Sequence, residues 1–176
     1  MESRPLFLTI CLNPVIQRTL VLERLRENEV NRSAEYYIDA SGKGINVTRV
    51  LAQLGERVVH VAQTGGHFRK LFLEMAEADG LDVRTVPSGS EIRTCSTLLS
   101  RSERSTTEIV EEAVPVSAST AALVLDAVTR LIPEAGSVIL SGTKAAGFPD
   151  DLFPSIVKRA KEADRRVILD LRGKDL

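Results

Sequence analysis

The sequence alternates short apolar runs with longer segments in which apolar residues recur at helical spacing, and this alternation limits the fold more than any other feature. Five runs have the apolar, β-branched character of buried strands: 6–12, 57–63, 83–86, 137–140 and 167–171. Four segments have helical periodicity: 43–54, 68–78, 118–132 and 150–163. Strands that alternate with helices in this way are typical of βαβ units. The sequence therefore predicts an α/β fold with a parallel sheet covered by helices on both faces.

Two regions interrupt the alternation. The residues at about 17–39 and at about 93–111 contain strand-like pieces of mixed polarity around polar turns. Strands with one wet face do not suit the interior of a parallel sheet, so we expect them to form a small β-sheet beside the main one. The remaining residues, 5–14, 41–90 and 115–176, are then assigned to the core of one domain that occupies 1–176. Because the chain stops just after a buried-type strand, we expect the sheet to be cut rather than finished there.

The composition excludes several classes of function. Of the 176 residues, 43% are hydrophobic and 27% charged, the formal net charge is −1, and there is no Trp, so we expect neither a nucleic-acid partner nor a membrane partner. The apolar run near the N-terminus is too short to span a bilayer. The two cysteines, Cys11 and Cys95, lie in apolar or strand-like runs without metal-ligand spacing. We interpret them as packing residues in a reducing cytoplasm.

One helix begins with a lysine at an unfavourable position. The segment "DASGKGINVTRVLAQLG" predicts a helix over 43–54, with an apolar stripe formed by Val47, Val50, Leu51 and Leu54. Lys43 lies in its first turn, at the positive end of the helix dipole, where a cation is disfavoured. We expect the stripe and the side chains of Lys43 and Asn46 to point toward the sheet, over the carboxyl ends of its strands.

The residues around this lysine allow two interpretations. Gly42 and Gly44 would let a bound anion approach the backbone N–H groups, and that anion would offset the placement of Lys43. Alternatively, Lys43 extends into solvent and the glycines only shape a turn. Neither the phosphate-binding pattern G-x-x-x-x-G-K-[ST] nor the dinucleotide-binding pattern G-x-G-x-x-G is present.

An ordered set of motifs resembles a known family. The motifs are "TICLNPVIQRT", "NEVNR", "DASGKGINVTRVLAQLG", "IRT", "SGTKAAGFPDDLF" and "VILDLRG". In this order and at these spacings they resemble the PfkB, or ribokinase-like, carbohydrate kinases, and most of all the branch of 1-phosphofructokinase and tagatose-6-phosphate kinase. The resemblance extends over nearly the whole chain.

The resemblance implies a fold and an activity. The fold is a three-layer αβα ribokinase-like (Rossmann-like) sandwich with a small β-sheet lid, which agrees with the two regions that interrupt the alternation. Family members transfer a phosphoryl group from ATP, with Mg²⁺, to a sugar, and in this branch the acceptor is a phosphorylated sugar. The resemblance also implies that this chain is the N-terminal part of such a kinase, with the C-terminal half missing.

The resemblance assigns substrate-binding roles to seven residues: Gln17, Gly42, Lys43, Asn46, Arg93, Ser141 and Gly142. Arg93 matches the arginine that holds the existing phosphate of the acceptor, a role that suits a planar guanidinium. Gln17 stands where the family pattern has an aspartate that bonds to sugar hydroxyls, and Ser41 replaces the first glycine of G-G-K-G. His67 and Glu108 are interpreted as surface residues.

The catalytic segments of the family are not found in the sequence. No G-x-G-D pattern occurs, so the aspartate expected to accept the proton of the sugar hydroxyl has no counterpart, and we assign neither a catalytic residue nor a metal ligand. ATP and Mg²⁺ are therefore expected only for a full-length family member. The primary interpretation is the sugar-binding side of a sugar-phosphate kinase, inactive alone. The alternative is a non-catalytic module that binds a sugar phosphate or dimerises through the lid.

Overall fold

The computed structural model describes residues 4–175, which form nine strands and four α-helices. The strands are β1 (Leu6–Cys11), β2 (Val15–Leu22), β3 (Glu35–Ser41), β4 (Val58–Thr64), β5 (Val83–Pro87), β6 (Arg93–Ser100), β7 (Ser105–Val110), β8 (Ala135–Ser141) and β9 (Arg166–Asp170). The helices are α1 (Lys43–Gln53), α2 (Arg69–Ala78), α3 (Ala118–Leu131) and α4 (Leu152–Glu162).

The main sheet contains five strands in the order β5-β4-β1-β8-β9. Every neighbouring pair is parallel, as the alternation of strands and helices predicts. Because the strands are parallel, their carboxyl ends meet at one edge, where the N-terminus of α1 also lies. The predicted αβα architecture is therefore confirmed.

The lid is a second sheet with the order β3-β2-β6-β7. It is built from two antiparallel pairs, β2 with β3 and β6 with β7, joined at the centre by parallel pairing of β2 with β6. In this register Gln17 lies opposite Cys95 on one side and Asp39 on the other. The predicted second sheet is thus present, and its register decides which side chains face the main sheet.

Two apolar clusters hold the layers together. The strands and helices α3 and α4 share the larger cluster, whose members include Leu8, Ile10, Val124, Val138, Phe153 and Ile156. The smaller cluster joins α1, α2 and the lid, and includes Ile16, Ala40, Ile45, Phe72 and Ile92. Alternate residues of each central strand enter opposite layers, so almost every residue of β1 and β8 is buried.

The buried face of α1 differs from the sequence prediction. The residues of α1 that are buried are Gly44, Ile45 and Thr48. The predicted stripe does not face the sheet, since Val50 and Leu54 are 54% and 68% exposed. The prediction is wrong because Gly44 and Thr48 pack closely on β1 and Ile45 enters the smaller apolar cluster, whereas Val47, Val50 and Leu51 line a groove beside Asp170 of β9.

A buried polar cluster joins α1 to the sheet. The Nδ1 atom of His60 lies 2.8 Å from Thr9 Oγ1 and 3.0 Å from Thr48 Oγ1, and Thr48 also donates to the carbonyl of Gly44. Burial lowers the pKa of His60 to about 3, so the imidazole is neutral at neutral pH. Thr48 therefore ties α1 by hydrogen bonds to Thr9 of β1 and His60 of β4.

Both cysteines are buried free thiols. Within residues 4–175, no helix has the length and apolar character needed to cross a bilayer.

Candidate functional site

A cavity of about 400 Å³ lies between the lid and the carboxyl edge of the main sheet. The loops after β1 and β8, the end of β9 and the first turn of α1 form one wall, and β2, β6 and β7 form the other. Six of the seven predicted site residues line it: Gln17, Gly42, Lys43, Asn46, Arg93 and Gly142. The seventh, Ser141, lies beside the cavity and contacts its wall through Asp170.

Two glycines allow α1 to begin at this edge. Gly42 has φ 124° and ψ 151°, a backbone conformation that other residues rarely adopt. At Gly44 a Cβ atom would lie 2.7 Å from Cys11 Cβ and 3.0 Å from the carbonyl oxygen of Ile10. The glycines therefore bring the positive end of α1 against the end of β1, where the backbone N–H groups of Gly44 and Ile45 contact the Cys11 thiol beside the cavity.

Lys43 already has an anion within the chain. Its ammonium lies 3.4 Å from the carboxylate of Asp170 at the end of β9. A hydrogen bond from Ser141, 2.9 Å long, and the charge of Lys43 lower the pKa of the Asp170 carboxyl. The Lys43 side chain is 61% exposed, yet it lines the same cavity as Asn46 and Arg93. It is thus placed to bind a second anion there, in competition with Asp170.

Arg93 is held at the opposite side of the cavity. Its Nη1 donates to the carbonyl of Glu111 at 2.9 Å, while its Nε lies buried without a hydrogen-bond partner among the described residues. A buried donor without a partner costs free energy unless a ligand or water satisfies it. Because Arg93 lines the cavity, its rigid guanidinium could contact two oxygens of a bound oxyanion.

Asn46 is oriented by a neighbouring arginine. Arg49 donates to Asn46 Oδ1 at 2.7 Å and is itself fixed by Asp79, at 2.8 and 2.9 Å, and by the carbonyl of Ala40. Because its oxygen accepts from Arg49, the amide nitrogen of Asn46 is directed toward Ser41, at 3.4 Å. Asn46 therefore presents hydrogen-bond donors beside the start of α1.

The lid contributes a polar wall. Gln17 donates to Thr97 Oγ1 at 2.7 Å, and Thr97 lies 3.5 Å from Glu108 Oε1 on the next strand. Glu108 was expected to be a surface residue, and it is exposed, but it also lines the cavity.

Sequence reasoning missed several residues that line the cavity: Asn13, Glu108, Thr143, Asp170 and Arg172. The available signal for Asp170 was its place at the carboxyl end of a strand, next to the strand that ends in Ser141. For Glu108 the signal was strand alternation, but it is informative only when the lid register is known.

The backbone N–H groups at the start of α2 already have an acceptor within the protein. The carboxylate of Glu91 accepts hydrogen bonds from the backbone N–H groups of His67 and Phe68, at 2.8 and 2.9 Å. The His67 side chain is 99% exposed, which agrees with its interpretation as a surface residue. These bonds from the start of α2 also lower the pKa of Glu91, against the effect of its desolvation.

The described residues do not fit a magnesium site. Among residues 4–175, no three His, Cys, Asp or Glu side chains lie close enough together to hold a metal ion. Asp170 and Glu108 line the cavity, but Asp170 is committed to Lys43 and Ser141. We therefore derive no phosphoryl-transfer step from these residues.

Among the solved structures with the same fold are proteins named as phosphofructokinases. The "Possible 1-phosphofructokinase" of Thermotoga maritima matches with a TM-score of 0.88 and 22% identity, over 93% of this chain and 53% of that chain. Phosphofructokinase-2 of Escherichia coli, in complex with fructose-6-phosphate, matches with a TM-score of 0.87 and 18% identity, over 99% of this chain and 56% of that chain. The tetrameric inhibited form of the same E. coli protein gives a TM-score of 0.87 and 17% identity, over 98% and 56%. The chain thus spans about half the length of these proteins.

The family model of the pfkB carbohydrate kinases matches residues 9–175, which include the lid, the start of α1 and the ends of β8 and β9. Its extent agrees with the order of motifs in the sequence and with the two-sheet architecture. The chain belongs to the pfkB family of carbohydrate kinases.

Proposed function

We propose that this chain provides the acceptor-binding side of an ATP-dependent sugar-phosphate kinase. The acceptor is a ketose phosphate of the fructose 1-phosphate, fructose 6-phosphate or tagatose 6-phosphate type. Lys43, Arg93 and the first turn of α1 bind its phosphate, and Asn46, Gln17 and Gly142 contact the sugar.

A single observation carries this proposal. Two cations from different elements, Lys43 at the start of α1 and Arg93 at the start of β6, line one cavity of about 400 Å³. The buried Nε of Arg93 has no partner within residues 4–175. A cavity with an arginine, a lysine and a helix N-terminus has the chemistry for a phosphate. The cavity is also large enough for an attached sugar.

Calorimetric titration of the purified chain tests the proposal. We expect fructose 6-phosphate, fructose 1-phosphate or tagatose 6-phosphate to bind, and fructose to bind much more weakly. Lys43→Ala and Arg93→Ala should each weaken sugar-phosphate binding by about 10-fold or more, since charge-assisted hydrogen bonds contribute about 1.5–3 kcal/mol.

Matched controls are available on the outer helices. Lys158 and Arg130 are exposed and form i,i+4 ion pairs with Glu162 and Asp126. Their replacement by alanine should leave affinity unchanged. Equal loss of affinity for fructose and for its phosphates in Lys43→Ala or Arg93→Ala would contradict the assignment of these residues to the phosphate.

The 176 residues alone are proposed to be inactive as a kinase. The support is the absence of a G-x-G-D pattern from the sequence and of a metal-ligand cluster from residues 4–175. Phosphoryl transfer depends on such groups for positioning and charge neutralisation. A coupled assay of ADP release with the three ketose phosphates should show no rate above the blank without sugar, and a higher rate would refute this part of the proposal.

The second candidate function is a binding module that dimerises through the lid. The supporting observation is the exposed apolar surface of the outer lid strands, whose members are Tyr36, Tyr37, Ile38, Ile109 and Val110. Both β3 and β7 also have an open edge, and such edges favour pairing with another sheet. Analytical ultracentrifugation should show a dimer that Ile109→Lys dissociates, and a monomer at every concentration would exclude this candidate.

We place the protein in the cytoplasm. The support is the pair of buried free thiols, Cys11 and Cys95, which a reducing compartment preserves. Fractionation with an epitope-tagged chain tests this location.

A further inference from the structure

The cavity contains a carboxylate that the family resemblance does not assign. Glu108 lies on β7, opposite Thr97 on β6, and lines the cavity together with Gln17 and Cys95. Its charge also contributes to raising the pKa of the Cys95 thiol, after the larger effect of burial. Glu108 thus faces the cavity from β7, which is an edge strand of the lid.

Both walls of the cavity carry charges of both signs, since Lys43, Asp170 and Arg172 lie on the sheet side, and Arg93 and Glu108 lie on the lid side. Lys43, Arg93 and Arg172 are the basic residues that line it, and Glu108 and Asp170 are the acidic ones. Asp170 is already bound to Lys43 and Ser141. Within the described chain, Glu108 accepts a hydrogen bond only from the hydroxyl of Thr97, at a long 3.5 Å, and forms no ion pair. It is therefore the carboxylate of this cavity that is free to accept hydrogen bonds from a ligand.

Gln17 is less suited to that task. Its amide nitrogen donates to Thr97 at 2.7 Å, so its orientation is fixed by the lid. The remaining amide oxygen is a neutral acceptor, whereas an ionised carboxylate can accept from two hydroxyls and forms stronger hydrogen bonds. A sugar phosphate whose phosphate contacts Arg93 would lie along the lid wall that carries Gln17 and Glu108, so its hydroxyls would face this wall.

We propose that Glu108 is a specificity-determining residue that accepts hydrogen bonds from vicinal hydroxyls of the sugar phosphate, in the place that Gln17 leaves without a negative charge. This inference rests on the proposed function, because it needs a sugar phosphate in the cavity. It extends that function by naming the group that distinguishes a polyhydroxylated phosphate from a simple one.

The test compares two ligands in wild-type protein and in Glu108→Gln. The ligands are fructose 6-phosphate and inorganic phosphate, and the affinities are measured by calorimetry. Because the change removes a charge from an exposed position without changing its shape, the thermal midpoint should remain the same. We expect fructose 6-phosphate to bind about 10-fold more weakly, since a hydrogen bond to a charged group is lost, while inorganic phosphate binds with unchanged or higher affinity.

Two further variants test whether the effect depends on a carboxylate at the cavity wall, and not on any acidic residue of the lid. Asp39 lies opposite Gln17 in the lid register but does not line the cavity, so Asp39→Asn is the matched control and should change neither affinity. Gln17→Asp combined with Glu108→Gln returns a carboxylate to the same wall, from β2. We expect this double variant to recover most of the lost affinity for fructose 6-phosphate.

The outcomes distinguish this inference from the function on which it rests. If wild-type protein binds neither ligand, the proposed function fails and the inference fails with it. If wild-type protein binds fructose 6-phosphate and Glu108→Gln binds it equally well, the inference alone is wrong. If Glu108→Gln weakens both ligands alike, Glu108 supports the shape of the cavity and does not recognise hydroxyls, which also refutes the inference.

Discussion

Lowering the pH from 8 to 5 should reduce the free energy of unfolding by about 2 kcal/mol through one buried histidine. His60 is fully buried beneath α1, and desolvation lowers its pKa from the ordinary 6.5 to about 3. The unfolded chain binds a proton at this residue below about 6.5, whereas the folded chain does not until the pH approaches 3. The free energy of unfolding is therefore not reduced by His60 above pH 6.5, and it decreases steadily as the pH falls from 6.5 toward 3.

The magnitude follows from the two pKa values. Each pH unit well below 6.5 and above 3 should cost about 1.4 kcal/mol, which is the free energy of one pKa unit. Between pH 8 and 5 the sum is about 2 kcal/mol, because the first part of that range lies above the unfolded pKa. Three carboxyl groups also have lowered pKa values, namely Glu91, Glu111 and Asp170. Their contributions to stability are lost only below the ordinary carboxyl pKa values of 4.5, 4.5 and 3.8, which lie outside this pH range.

Urea denaturation followed by circular dichroism at pH 8, 7, 6 and 5 measures this dependence. The chain has two histidines, so His67→Gln, at a side chain that is 99% exposed, is a natural control that should retain the full pH dependence. In His60→Asn the slope between pH 6.5 and 5 should nearly disappear, although the variant is less stable at every pH. A wild-type stability that is constant over this range, or an unchanged slope in His60→Asn, would refute the reasoning.

Three further predictions concern the start of α1, the start of α2 and the flank of α1. Gly44→Ala should lower the free energy of unfolding by about 1–3 kcal/mol and weaken phosphate binding, because the new methyl group would lie 2.7 Å from Cys11 Cβ; thermal melts and phosphate titration measure both effects. Glu91→Ala should cost about 1–2 kcal/mol, since two N–H groups at the start of α2 lose their acceptor; an unchanged melting temperature would contradict this. Val50→Asp with Leu54→Lys should reduce self-association measured by light scattering without loss of stability, because both side chains are more than half exposed.

The arrangement of strands could be predicted from the sequence because the signals were periodic. The run 6–12 reads as a strand buried on both faces, and β1 is central in the parallel sheet. The lid was visible as a break in this pattern, since 93–111 alternates in polarity around a polar turn. The pairing of β2 with β6 was not predictable, because parallel register between distant strands depends on tertiary contacts.

The face of α1 was predicted wrongly for a physical reason. The sequence stripe at Val50 and Leu54 is apolar, and periodicity assigns such a stripe to the core. The contact with β1 is instead made by Gly44 and Thr48, since close packing and the hydrogen bond to His60 both require small residues there. Periodicity detects large apolar side chains and cannot detect a contact of this kind.

The cavity was predictable in part. Motif spacing identified Lys43 and Arg93, and the fold brings both to one cavity. Asp170 and Glu108 were not identified, because their positions depend on which strand follows β8 in the sheet and on the register of β7. Their roles, like those of the motif residues, stay predictions until binding is measured.

The central claim is that the start of α1 and Arg93 hold the phosphate of a sugar phosphate. A two-dimensional ¹H–¹⁵N NMR titration of the chain with fructose 6-phosphate tests it most directly. The account predicts the largest shifts at the amides of Gly42, Lys43 and Gly44 and at the side-chain Nε–H of Arg93, which has no partner within residues 4–175 in the free protein. Absence of shifts there at millimolar ligand, or shifts centred on the start of α2, would contradict it.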